Sequence, residues 1–137
     1  MKVLYPITLD VKKTNVQKHI KAFTSEGGTR ELIITLVSGN DTIELTNGYV
    51  VSVVGVKPDG TEFANTATVS DGKIHYTLTT QNVAVEGEVD CHIRVVKTNE
   101  LLYTSKFAID VEKNLSDEET ETSSNEWTEL INALNRV

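Results

Sequence analysis

The chain is 137 residues long, the size of one ordinary domain, and with 39% hydrophobic and 24% charged residues it can bury a core, which excludes wholesale disorder. A formal net charge of −7 and a pI near 4.9, with no basic run, exclude phosphate-driven binding of nucleic acid and attraction to an anionic membrane surface. Val, Thr and Ile make up 44 of the 137 residues, a bias toward pleated, half-buried strands.

Alternation begins at the N-terminus, where Val3, Tyr5, Ile7, Leu9 and Val11 share one face; Pro6 assigns this strand to an edge or a bend. A polar stretch from Lys12 to Asn15 leads to a weaker strand, Val16–Phe23, and Glu26-Gly27-Gly28-Thr29 reads as a loop. Leu32, Ile34 and Leu36 alternate, Ser38-Gly39-Asn40-Asp41 turns the chain, and a short strand over Thr42–Thr46 meets Asn47-Gly48, the dipeptide best suited to a type I′ hairpin. Tyr49–Lys57, with Val on both faces, is expected to be a central strand, and Pro58-Asp59-Gly60 a turn in which Pro presets φ and Gly accepts the positive φ that follows. Thr61–Val69 holds one or two short strands, ended by Asp71-Gly72; Ile74, Tyr76 and Leu78 then alternate. After an irregular stretch from Thr79 to Glu86, Val89, Cys91, Ile93 and Val95 give the cleanest alternation, and Thr98-Asn99-Glu100 turns into a strand from Tyr103 to Val111 with Phe107, Ile109 and Val111 on one side. Short strands at this spacing, punctuated by Gly, Asn and Asp, predict an antiparallel sandwich or barrel. Matching periodicity assigns Val89, Cys91, Ile93 and Val95 to the core, met by Tyr76, Leu78, Phe107 and Ile109.

The pattern changes at Lys113. Residues 1–113 carry a net charge of −2, whereas residues 114–137 set Arg136 against six carboxylates. Residues 114–122 read as a solvated acidic linker, and Ser123 with Glu126 has capping-box spacing. Trp127, Leu130, Ile131, Leu134 and Val137 recur at helical intervals, predicting an amphipathic helix over 123–137 that is too short to be stable alone in water. Trp127, Leu130, Leu134 and Val137 follow the three-four-three rhythm of a coiled-coil seam, with Ile131 widening it, so self-association through this stripe is expected.

No motif assembles a reactive centre. Cys91 and His92 resemble a nucleophile beside a base, but neighbours on a strand point to opposite faces, so Cys91 is expected in the core and His92 outside. His19, His75 and His92 lack the spacing of a zinc site, and the acidic run at 117–121 lacks the Asp-x-Asp-x-Asp-Gly scaffold of a calcium loop. Neither a phosphate loop nor a G-x-S-x-G elbow occurs, and one cysteine forms no internal disulfide. The expectation is a non-enzyme with no catalytic residue, cofactor or metal. The longest nearly apolar run, Tyr49–Val56, is far short of the roughly 20 residues that span a bilayer. No signal peptide is legible, so synthesis in a cytoplasm is expected, and the sequons at Asn40 and Asn114 are read as chance.

Four segments in order carry a resemblance: Lys57-Pro58-Asp59-Gly60; Asp71-Gly72-Lys73-Ile74-His75-Tyr76-Thr77-Leu78; Gly87-Glu88-Val89-Asp90-Cys91-His92-Ile93; and Phe107-Ala108-Ile109-Asp110-Val111. With Tyr5-Pro6-Ile7-Thr8-Leu9-Asp10-Val11 and Leu45-Thr46-Asn47-Gly48 they resemble the N-terminal domain of the phage baseplate upper protein (BppU) family over roughly residues 3–113. The resemblance implies an immunoglobulin-like β-sandwich that anchors a fibre or receptor-binding arm to the distal hub of a phage tail, in the virion. It implies other baseplate proteins (the hub and the receptor-binding protein) as partners, and it favours a trimer. Members usually continue into coiled-coil, collagen-like or receptor-binding regions, whereas this sequence ends at Val137; it is expected to be part of a longer protein or a short adaptor. The alternative from another class is a carbohydrate-binding module contacting the host wall, for which Tyr49 is the best spare aromatic.

Overall fold

In the computed structural model, which describes residues 1–15, 18–46, 48–116 and 134, eleven strands form two sheets packed as a sandwich. The strands are β1 (Val3–Asp10), β2 (His19–Phe23), β3 (Arg30–Ser38), β4 (Asp41–Ile43), β5 (Val50–Val56), β6 (Glu62–Thr66), β7 (Thr68–Ser70), β8 (Lys73–Thr77), β9 (Gly87–Lys97), β10 (Glu100–Tyr103) and β11 (Phe107–Glu112). One sheet runs β1-β3-β8-β7, with β4 also on β3; the other runs β2-β11-β9-β5-β6, with β10 also on β9. Their inner faces meet in one core, to which Leu9, Leu32, Ile34, Ile74, Val53, Ile93 and Phe107 contribute fully buried side chains.

The sandwich agrees with the sequence pattern, but its pairing is mixed rather than wholly antiparallel. β1 lies parallel to β3, and β2 lies parallel to β11. A parallel neighbour requires a long crossover, and here the chain supplies it by changing sheets: β2, which lies between β1 and β3 in sequence, belongs to the opposite sheet. Pro6 sits on β1, at the edge of its sheet, where a missing backbone N–H is tolerated.

Two local expectations are corrected and a third is narrowed. Asn47 lies outside the described residues, but the strands on either side of Asn47-Gly48, β4 and β5, belong to different sheets, so this dipeptide does not close a hairpin. Among the described residues, the turn with two positive φ values is Asp71-Gly72, at 53° and 74°, joining β7 to β8. Thr61–Val69 divides at Ala67: β6 pairs with β5, β7 pairs with β8, and the Ala67 N–H donates to the Val51 carbonyl where the chain crosses. The strand expected from Tyr103 to Val111 is broken into β10 and β11. Between the pairs Tyr103–Arg94 and Phe107–Cys91 the β10–β11 side holds one more residue than β9, a β-bulge. Thr104 Oγ1 accepts from the Ile93 N–H there, and the Ser105 N–H donates to the Asp10 carbonyl, tying the bulge to the other sheet.

Polar groups also hold the connections. The Pro58-Asp59-Gly60 turn closes with the Gly60 N–H on the Lys57 carbonyl, and Asp59 accepts from the Thr61 N–H and hydroxyl. The irregular stretch after β8 is fixed by buried Asn82, whose Oδ1 accepts from the Tyr76 hydroxyl at 2.6 Å and the Thr79 N–H at 2.9 Å. Arg30 clamps Glu26 through two bonds, at 2.9 and 3.1 Å, and also donates to the Tyr5 hydroxyl, which fastens the β2–β3 loop to β1. Gly87, at φ +126°, opens β9 where a Cβ would stand 2.7 Å from Pro58, so a turn and a strand start that are far apart in sequence require each other.

Among the described glycines, Gly55 leaves the least room for a side chain. A Cβ there would lie 2.5 Å from the Phe63 ring and 3.0 Å from Cys91 Sγ, and Phe63 is buried. Gly55→Ala is therefore expected to destabilise the chain by about 1–3 kcal/mol through overpacking. Urea unfolding checks this: the midpoint should fall at unchanged slope, and Phe63→Leu in the same chain should recover part of the loss.

Candidate interaction surface

The geometry of β9 separates Cys91 from His92. Cys91 points between the sheets and is 2% exposed; burial, with a smaller contribution from the Asp90 charge, pushes its thiol up to about 12. His92 points outward and stacks on Tyr103, with ring centroids 4.8 Å apart. Burial and the Lys106 charge lower its pKa. Val89, Ile93, Val95, Tyr76, Leu78, Phe107 and Ile109 are buried with Cys91 in one cluster. Of the stripe assigned to self-association, Trp127, Leu130, Ile131 and Val137 lie outside the described residues, and Leu134 is exposed. The predicted helix over 123–137 and the acidic run at 117–121 fall outside the described residues as well, apart from Leu134.

The outward residues of β9 run Glu88, Asp90, His92, Arg94, Val96, and their cross-strand neighbours divide the outer sheet face into zones. Val96 pairs with Val50 and Leu101, an apolar end. Arg94 pairs with Ser52 and Tyr103, and His92 with Val54. Asp90 pairs with Val56, whose other neighbour is Glu62, and Glu88 pairs with Asp110, an acidic end. Across the middle lies an open groove of about 840 Å3, lined by His92, Arg94, Tyr103 and Lys106 with Val54 and Ala64. The Arg94 Nε is buried and has no acceptor among the described residues.

At the acidic end, residues far apart in sequence converge. His19 Nδ1 is 3.1 Å from Asp110 Oδ2 and 3.9 Å from Glu88 Oε1, and the Lys21 ammonium is 3.0 Å from the same Asp110 oxygen. Burial raises the Asp110 carboxyl, but the hydrogen bonds from Lys21 and His19, with their charges, outweigh it and hold the group below its ordinary value. The ligand-type atoms of His19, Glu88 and Asp110 lie within 4.8 Å of one another. With Lys21 seated on Asp110, the arrangement is an exposed ion-pair cluster. Sequence reasoning missed both this cluster and the zoned face, because positions 19, 88, 94, 103 and 110 form no motif until four strands are laid side by side.

The described residues thus form a mixed two-sheet β-sandwich with a zoned outer face. The chain belongs to the BppU N-terminal domain family, whose model matches residues 3–137, and it is a structural component of the phage baseplate, in the virion tail, with other baseplate components as its kind of partner. Among solved structures it is similar to the N-terminal domain of phage TP901-1 ORF48, with a TM-score of 0.65 and 15% identity, covering 80% of this chain and 98% of that one. At that identity the likeness speaks for the fold. No curated protein matches the chain.

Burial of Cys91 has a measurable signature. The native thiol is expected to react with a disulfide reagent at pH 8 far more slowly than a free thiol of pKa about 8.5, and at the free rate once unfolded in denaturant. Because its folded pKa lies above the unfolded one, the thiol's contribution to stability is complete below about pH 9 and is lost as pH rises toward about 12. The alkaline slope of unfolding free energy should therefore be shallower in Cys91→Ala than in the parent chain.

Proposed function

We propose that this chain is an anchoring module of the baseplate, joining a receptor-binding or fibre protein to the distal tail hub without catalysing a reaction. The family match from residue 3 to residue 137 carries this reading. The polar chemistry of the described residues supports it, being used largely in turns, loop clamps and a surface ion-pair cluster. The same resemblance supports an immunoglobulin-like form and a role in host attachment as part of this reading. Deleting the gene is expected to give tails with an intact tube that lack the receptor-binding protein and do not adsorb to the host. Tails that keep the full receptor-binding complement without this chain would overturn the reading.

The C-terminal stripe of Trp127, Leu130, Ile131, Leu134 and Val137 would start an oligomeric stalk, with a trimer favoured. Light scattering on the full chain at high concentration is expected to give three copies, and Leu130→Asp with Leu134→Asp is expected to give one. A monomeric parent chain would refute the stalk.

The carbohydrate-binding alternative finds little support in the aromatic side chains. The Lys97 ammonium lies 4.9 Å from the centre of the Tyr49 ring, and Tyr103 has one face on His92. A glycan array on the full chain separates the two readings.

A further inference from the structure

We propose that the outer face of the six-stranded sheet, along the β10 edge, seats an extended acidic segment of a neighbouring baseplate protein, with a carboxylate of that segment on Arg94 and Lys106. This rests on the baseplate reading and names the chemistry of the partner.

Charge is the first argument. A guanidinium stays ionised at any working pH and carries its donors in a rigid fork matched to a carboxylate. Buried donors in folded proteins are almost always paired, and the Arg94 Nε is buried without an acceptor among the described residues. Lys106 lines the same groove, close enough for its charge to depress the pKa of His92. Neither side chain has a hydrogen bond or ion pair among the described residues, so the Arg94–Lys106 end of the groove, away from Asp90 and Glu62 in its lining, is the part complementary to an anion.

The backbone gives the second argument. Among the described residues β10 pairs only with β9, which leaves its other edge open. All four residues of β10 are exposed, Leu101 at 60%. An open edge with apolar side chains is a template for strand addition, in which main-chain hydrogen bonds supply affinity and alternate side chains supply specificity. A glycan has no peptide ladder to add, so the edge favours a polypeptide.

The order of the zones sets the register. On one face of an added strand, side chains recur every second residue. An apolar residue beside Leu101 and Val96 would bring its i+2 neighbour to Tyr103 and Arg94, where a carboxylate meets both cations. The partner segment thus reads apolar, then acidic, at alternate positions.

The test uses assembled tails containing the full chain with a photo-cross-linking residue in place of Leu101, and a control in place of exposed Thr68 on β7 of the other sheet. The residue at 101 is expected to link to one segment of another baseplate protein, with Asp or Glu within two positions of the link, and the one at 68 is not. Arg94→Glu is expected to lower the copy number of the chain per tail by about tenfold or more, through the loss of a desolvated charge pair. Leu101→Asp, at an exposed edge position that does not contribute to the core, is expected to do the same while leaving the melting temperature of the purified chain unchanged. The proposal is overturned if position 101 links to nothing, to a wall glycan or to a segment without a carboxylate, or if both variants enter tails at the parental level. Absence of the parent chain itself from purified tails would instead overturn the baseplate reading.

Discussion

The register of β9 against its neighbours is the constraint on which the rest of the molecule depends. β9 is the longest strand, paired along one side with β5 and along the other with β11 and then β10. Its inward residues, Val89, Cys91, Ile93 and Val95, are all buried, and its outward ones include Glu88, Asp90, His92 and Arg94. A slip of one residue would exchange the two sets and carry two carboxylates and a guanidinium into an apolar core, at several kcal/mol for each unpaired charge. Gly55 sharpens the same constraint, because only the strand position without a side chain can face Cys91 while the Phe63 ring fills the space.

Once that register is set, the outer face has no freedom of its own. The side chains that make the groove and its zones alternate with the core residues of β9, β5 and β6, joined by exposed β10 and by Lys106. Core packing therefore dictates which charges stand together on the surface, and in what order. A surface built this way has its charges placed by the core, and for any partner that docks there pre-placed groups lower the ordering cost of association. His92 shows the coupling: it cannot join Cys91, and its outward position supplies half of the ring stack beside Arg94.

The changes of sheet need different fastening. Wherever the chain leaves one sheet for the other, backbone groups lose ladder partners and must find others. The Asp10–Ser105 bonds join the end of β1 to the bulge between β10 and β11, the Arg30–Glu26 clamp holds the β2–β3 loop, and Asn82 fills the same need after β8. Asp10 also accepts from the Lys12 and Gly39 N–H groups, which lower its pKa. These fasteners tie strand ends and loops of the two sheets to one another.

The amino-acid sequence by itself determined which residues face inward, because alternation is a local property of an extended chain: Ile7 and Leu9, Leu32 to Leu36, Ile74 to Leu78 and Val89 to Val95 could each be read from their own neighbours. It determined the Pro58-Asp59-Gly60 and Asp71-Gly72 turns for the same reason, since Pro and Gly act on their own dihedral angles. It carried the family as well, through the order of those segments. Only the tertiary structure decided which strands lie side by side. The parallel pairs β1–β3 and β2–β11, the division at Ala67 and the break after Tyr103 depend on partners tens of residues away. Periodicity gives a strand its two faces and gives no sign of its neighbour. The meeting of His19 with Glu88 and Asp110, and of Arg94 with Tyr103 and Lys106, was settled at that level, because a surface site on a sheet is written across strands rather than along one.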